Sequence, residues 1–281
     1  MASIRPDPEY LAYLDGIVRL KLWFLWHWLR AHPAEQCSLA LRERVDLYRK
    51  TAINAEGINP QRINWDDPRW ARMERAVADL YRKYSGDDSA ERFEAEAFAV
   101  FAPSLAVRAA RSDDRSGLGP YTYGSVRFDA PAAKRPERVF IHIANTVAPQ
   151  SIFDDPAYLP HCLLEVMRRA ETTHGATELE TFTWLNSHPK WLRLFPAEWM
   201  EHAAAPSEDI RWHYGYWGQF INARGTLNDR LVAQFRATGR WPYLPRHAWC
   251  SFASLRRHLQ KLPLRATARV NAGAGEASTS A

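Results

Sequence analysis

Val139-Phe140-Ile141-His142-Ile143-Ala144 runs into Asn145, and Leu179-Glu180-Thr181-Phe182-Thr183-Trp184-Leu185 runs into Asn186-Ser187-His188. Between them, residues 156–173 place Leu159, Leu163, Val166, Met167 and Ala170 on one side, the spacing of an amphipathic helix. A strand, a helix of about five turns and a second strand form, as a rule, a right-handed crossover with parallel strands. Parallel strands put their carboxyl ends on one edge, where open α/β sheets bind ligands. Asn145-Thr146 and Asn186-Ser187-His188 are therefore expected at a shared rim. The connection over residues 146–155 is about ten residues, against two to six for most such loops, and suits a functional loop. The plainer reading is that both Asn residues end strands and turn the chain.

Both alternating sets of residues 139–145 are mostly apolar, so the strand is expected to be central and covered on both faces. His142 would then be buried among hydrophobic groups, either as a satisfied core histidine or as a catalytic base.

Outward from this unit, the first third reads as helical over residues 10–29, 38–54, 68–84 and 89–111, the last with a possible break at Pro103. Residues 112–120 are a Ser/Asp/Gly loop, 121–128 a strand and 130–137 a connector. Further helices are expected at 189–202, 227–238 and 252–262, the last two starting after Thr226 and Ser251 as N-caps. Residues 210–221 are aromatic and ambiguous. Residues 265–281 lack apolar periodicity and read as a disordered tail. The expected architecture is α+β in one domain over 1–264. A helical region (1–112) packs on a small mixed sheet with one βαβ crossover (120–222), closed by helices (226–264).

Composition bounds the function classes. Of 281 residues 46% are hydrophobic and 25% charged, as in ordinary globular proteins, but 12 Trp, 11 Tyr and 12 Phe are enough to wall a cavity as well as fill a core. The formal charge is +5, and Arg is scattered beside Asp and Glu rather than clustered, which argues against nucleic acid as a partner. Arg supplies 31 of the 37 basic residues, a usage typical of GC-rich bacterial coding. Three cysteines without a CxxC, and no signal-peptide pattern, point to a cytoplasmic protein with reduced thiols. Residues 20–29 are too short and too polar for a membrane span.

Candidate chemistry is spread thinly. Asp66-Asp67-Pro68 and Asp154-Asp155-Pro156, with Asp87-Asp88 as a third pair, would suit magnesium-bound diphosphate; Asp as N-cap before Pro explains the first two better. His161 and Glu165 share a polar helix stripe, the solvent side of an amphipathic helix, and no metal is expected. Residues 211–220, Arg-Trp-His-Tyr-Gly-Tyr-Trp-Gly-Gln-Phe, could bring backbone and rings to a ligand. There is no GxSxG, no Gly-rich phosphate loop, and Cys162 falls on the apolar half of its helix.

The function these features suggest is a cofactor-independent enzyme of small-molecule metabolism, an isomerase, lyase or cyclase. His188, His213 or His142 would be acid or base in an aromatic-lined pocket. Asn145, Asn186 and Gln219 would orient substrate, and Trp184, Tyr214 and Trp217 would shape the cavity. The alternatives are a non-catalytic small-ligand-binding protein and a magnesium-dependent diphosphate enzyme. A histidine beside a carboxylate would favour catalysis, whereas rings and amides alone would favour binding.

Overall fold

The computed structural model describes residues 7–54, 63–86, 89–110, 121, 123–209, 211 and 214–263. Asp87, Asp88, His213 and the region after residue 263 lie outside them. The fold is α+β, with helices before and after one four-stranded mixed sheet.

The sheet has strands β1 (Val126–Asp129), β2 (Arg138–Ile143), β3 (Glu178–Thr183) and β4 (Arg246–Ser251) in spatial order β1-β2-β3-β4. Strands β2 and β3 are parallel, with Val139 opposite Leu179, and helix α5 (Tyr158–His174) makes the crossover. Its outer neighbours pair antiparallel, β1 with β2 and β4 with β3. Gly175 ends α5 in the left-handed conformation (φ 66°), the usual glycine terminator. The edge of β4 is closed by the chain after residue 203: the Ala204 N–H donates to the His247 carbonyl (2.9 Å) and the Ser207 N–H to that of Pro245 (2.8 Å).

Only one face of this sheet is deeply buried. Val126, Val139, Ile141, Leu179, Ala248 and Cys250 pack with Leu163, Val166 and Met167 of α5 and Phe252 and Leu255 of α9 (Phe252–Leu259). Arg138, Phe140, His142, Glu178, Glu180, Phe182, His247 and Trp249 alternate with them and are only half-buried. This corrects the expectation for His142: its side chain is 31% exposed and its Nε2 lies 2.7 Å from the Asp129 carboxylate. The reason is that the second face carries charge-bearing neighbours instead of a helix layer, so β2 is central in the sheet yet covered on one side.

A second hydrophobic cluster is built by α1 (Pro8–Ala31), α2 (Cys37–Glu43), α3 (Pro68–Tyr84) and α4 (Ala90–Ala109), joined by Trp217, Phe220 and two residues of α8 (Asp229–Thr238), Leu231 and Phe235. Helix α4 continues through Pro103. Phe93, Phe101 and Leu105 on both sides of the proline are fully buried, and that packing offsets a ring that costs a helix interior roughly 3 kcal/mol.

Two expected helices are interrupted. Residues 38–54 give α2 and then a 3₁₀ turn, Tyr48–Lys50, because Asp46 takes a positive φ of 47° that no α-helix accommodates. Residues 189–202 divide into α6 (Pro189–Leu192) and α7 (Ala197–Glu201) at Pro196. The cap of α8 is Asn228, whose side chain accepts from the Leu231 N–H, not Thr226; Ser251 does cap α9. No described helix is long and apolar enough to cross a membrane.

One glycine is required by both conformation and space. Gly124 has φ 61°, and a Cβ there would stand 2.5 Å from Cys162 Sγ and 2.9 Å from the Tyr158 hydroxyl. That hydroxyl belongs to a triangle with Ser125 (3.0 Å) and Thr146 (3.2 Å) that ties the start of α5 to the ends of β1 and β2. Gly124→Ala is expected to lower stability by at least about 2 kcal/mol, read as the denaturant midpoint. A midpoint equal to wild type would show that the crossover does not depend on this close approach.

Candidate functional site

The carboxyl edge of the crossover is where β2 and β3 part. Their pairing stops at Phe140 opposite Glu180, after which β2 pairs only with β1 and β3 only with β4. From β3 the chain enters a 3₁₀ turn, Trp184–Ser187, started by the Thr183 hydroxyl accepting from the Leu185 N–H (3.2 Å), and then His188. From β2 it enters the long connection that carries Phe153. The two exits meet through rings: Phe153 stacks on His188 with centroids 5.4 Å apart at 19°. Tyr243, just before β4, packs on His188 at 4.9 Å and on Trp184 at 5.8 Å. Trp184 also stands edge-on to His188. These four residues are partly exposed.

His188 has its Nδ1 buried with no hydrogen-bond partner, and no carboxylate pairs with it among the described residues. Burial, then the Lys190 ammonium, hold its pKa below the ordinary histidine value, so the neutral ring predominates near neutrality. A buried polar atom left unpaired costs about 1–3 kcal/mol, and groups left so in a native fold are informative.

The expected polar residues at this rim are engaged differently. Asn186 is fully buried; its Nδ2 donates to the carbonyls of Thr181 (3.1 Å) and Arg246 (2.8 Å), and its Oδ1 accepts from the Trp191 indole (2.9 Å). It therefore clamps β3 to β4 where their ladder ends, beside Ser187, whose hydroxyl donates to the Leu244 carbonyl. Asn145 donates to the carbonyls of Gln150 (2.9 Å) and Ala223 (3.4 Å) and accepts from the Val147 N–H, shaping the β2 exit loop. Gln219, also buried, donates to the carbonyls of Tyr216 and Tyr243 and accepts from the Tyr243 N–H, which holds Tyr243 in place. Its neighbour Trp217 belongs to the helical core, its indole donating to the Arg44 carbonyl (3.2 Å). The 3₁₀ segment Tyr214–Phe220 thus sends Trp217 away from Trp184, although a Cβ at Gly218 would stand 4.0 Å from the Trp184 indole nitrogen. The side chain of Tyr214 lies outside the described structure, as does His213.

Two histidine–carboxylate pairs were not expected, and both lie on the open sheet face. His247 Nε2 is 2.8 Å from Glu180, which also receives Arg135 (3.2 Å) and Arg138 (3.4 Å). The other is His142 with Asp129. Arg138 lies 3.9 Å above the Trp249 ring, and His202 stacks on the same tryptophan at 3.6 Å. These are cross-strand pairs of a half-exposed surface, each worth about 0.2–1 kcal/mol. The sequence held a signal for β4, the alternation of His247, Trp249 and Ser251 with Ala248 and Cys250, but small inward residues made it faint.

The Asp pairs are engaged locally. Asp67 caps α3, accepting from the Arg69 N–H (2.8 Å) and binding its guanidinium (2.7 Å), which holds its carboxyl down at about 2. Asp155 accepts from the Ala157 N–H and Asp154 from that of Ser151, but neither caps α5 as expected: the helix starts at Tyr158, three residues after Asp155, behind an Ala157 N-cap with no side-chain bond. Among the described residues no three His, Cys, Asp or Glu side chains cluster to hold a metal. Burial pushes the Cys162 thiol up and the Cys37 thiol to about 12. Among the clefts on the described surface are one of about 380 Å³ beside Glu35 and Arg42 and one of about 590 Å³ between α3 and α4, neither of which touches the ring cluster.

Compared with known proteins, the chain matches no family model, no curated protein and no solved structure.

Proposed function

We propose that the protein binds a small molecule with a planar, mainly apolar body at the ring cluster of Phe153, Trp184, His188 and Tyr243. The observation that carries this reading is His188: three rings surround a neutral imidazole whose buried Nδ1 has no partner among the described residues. Rings supply contact area at low entropic cost, and one polar atom fixes orientation, the usual composition of a small-molecule site. Phe153, on the long β2 exit loop, is the element that would shift to admit a ligand.

Acid–base conversion of that molecule is the second reading. It is favoured by the lowered pKa of His188, which leaves the ring free to take a proton near neutrality. The lack of an orienting carboxylate weighs toward binding. An isomerase, lyase or cyclase reaction would run through His188 alone among the described candidates at this rim.

The test is native mass spectrometry of gently purified wild type beside Trp184→Ala and His188→Ala. A small molecule carried by wild type and lost from Trp184→Ala supports the reading, and equal retention by all three chains rejects it. If the molecule is also turned over, His188→Ala should cost at least a hundredfold in kcat, about 2.7 kcal/mol, and undiminished turnover would remove His188 from any catalytic role.

A further inference from the structure

Helices α3 and α4, consecutive in the chain, run antiparallel and leave between them the cleft of about 590 Å³, separate from the ring cluster. Its α3 wall is Arg69, Arg72, Met73 and Ala76, and its α4 wall is Val100, Pro103, Ser104 and Val107. Both sets follow the three- and four-residue steps of one helix face, so the walls are continuous. Each spans eight residues, seven steps or roughly 10 Å at 1.5 Å per step. Ala52 and the buried Ile53 close one side. Val107, on the same face of α4, is 53% exposed.

Charge along this groove is one-sided. The lining contains no carboxylate. Arg69 is neutralised by Asp67, but Arg72, one turn further along, makes no ion pair or hydrogen bond among the described residues. With α3 and α4 antiparallel, the paired Arg69 faces Val107 at one end, while the unpaired Arg72 stands mid-groove opposite Ser104, with Met73, Ala76 and Val100 lining the half that leads away from Val107. Ser104 accepts from the Ala52 N–H (2.9 Å), which leaves its own O–H free to donate. Pro103 has no N–H, so the Ala99 carbonyl loses its helical donor on the same helix.

From this charge complementarity we infer that the α3–α4 groove binds a medium-chain aliphatic carboxylate, its chain along Met73, Ala76 and Val100 and its carboxylate at Arg72 with the Ser104 hydroxyl. A guanidinium without a partner matches a carboxylate in geometry as well as charge. A neutral chain would gain the apolar contact only, and a short acid the charge only.

Titration of the full chain with octanoate, octan-1-ol and acetate, followed by amide NMR shifts, tests the assignment. Saturable shifts confined to residues 69–76 and 100–107 are expected with octanoate, at least fivefold weaker binding with octan-1-ol, and none with acetate. Arg72→Gln, a change at an exposed position, should weaken octanoate at least fivefold and leave octan-1-ol unchanged. Ala76→Trp, which fills the groove, should abolish both. Octanoate shifts that are absent or fall elsewhere, equal binding of acid and alcohol, or an Arg72→Gln variant that binds octanoate like wild type, would each overturn the inference.

Discussion

Asn186→Leu is expected to cost about 3–5 kcal/mol of stability, the largest loss of any single polar side chain at the rim. Three hydrogen bonds end on this amide, and a leucine of similar size would leave the carbonyls of Thr181 and Arg246 and the Trp191 indole N–H buried and unpaired. Each such group costs about 1–3 kcal/mol, less where water reaches it. The three partners stand on β3, β4 and α6, so the loss is spread across the junction that positions Trp184 and His188. Asn186→Asp should be milder, since it keeps an acceptor for Trp191 while losing both donors. Chemical denaturation measures both. A cost below about 1 kcal/mol for Asn186→Leu would mean the clamp is not needed and would return this residue to the candidates for ligand contact.

The second large effect concerns a cation in the helical core. Lys21 of α1 is fully buried; its Nζ donates to the Asp46 carbonyl (3.2 Å) and stands 5.1 Å from the Trp217 ring centroid. Burial is the main cause that lowers its pKa from 10.5 to about 7; the Asp46 charge opposes this, while Lys50 and Arg49 add to it. Around it, Arg49 pairs with the Asp46 carboxylate (3.4 Å) and Lys50 donates to the Tyr13 hydroxyl (3.1 Å). A lysine whose folded pKa is depressed binds fewer protons folded than unfolded between the two values, so stability rises with pH across that interval. Lys21→Met removes the ionisation and keeps the apolar stem. The variant should therefore be more stable than wild type by about 1–4 kcal/mol at pH 6. Between about pH 7 and 10 wild type should close that gap by roughly 1.4 kcal/mol per unit. Urea denaturation at pH 6, 8 and 9.5 reads it directly. Parallel stability–pH curves would show that Lys21 stays protonated throughout.

The same residues show what could and could not be read from the sequence. The crossover β2–α5–β3 was legible because two β-branched runs flank an apolar helical period, and short-range pattern dictates that unit. The burial of Leu41, Val45, Leu47 and Tyr48 was legible too, but not their conformation: a helix and a turn can point the same side chains inward, and the reversal at Asp46 depends on tertiary partners such as Lys21. Strand β4 is faint in the sequence because its inward residues, Ala248 and Cys250, are small. At the rim, Trp184 and His188 are legible at the end of a strand-like run, whereas Phe153 and Tyr243 reach them from distant parts of the chain and no spacing reveals it. Asn186 and Gln219 illustrate the opposite error. A polar side chain among rings can greet a ligand or tie down main chain, and only the location of nearby carbonyls decides between the two.

Side-chain NMR of the full chain titrated with indole, 2-naphthol and cinnamate probes the ring cluster most directly. Perturbations should concentrate on the Trp184 indole, the His188 imidazole and the Phe153 and Tyr243 rings, and should vanish in Trp184→Ala. Saturable binding of these molecules elsewhere, with the His188 and Trp184 signals unmoved, would contradict the account.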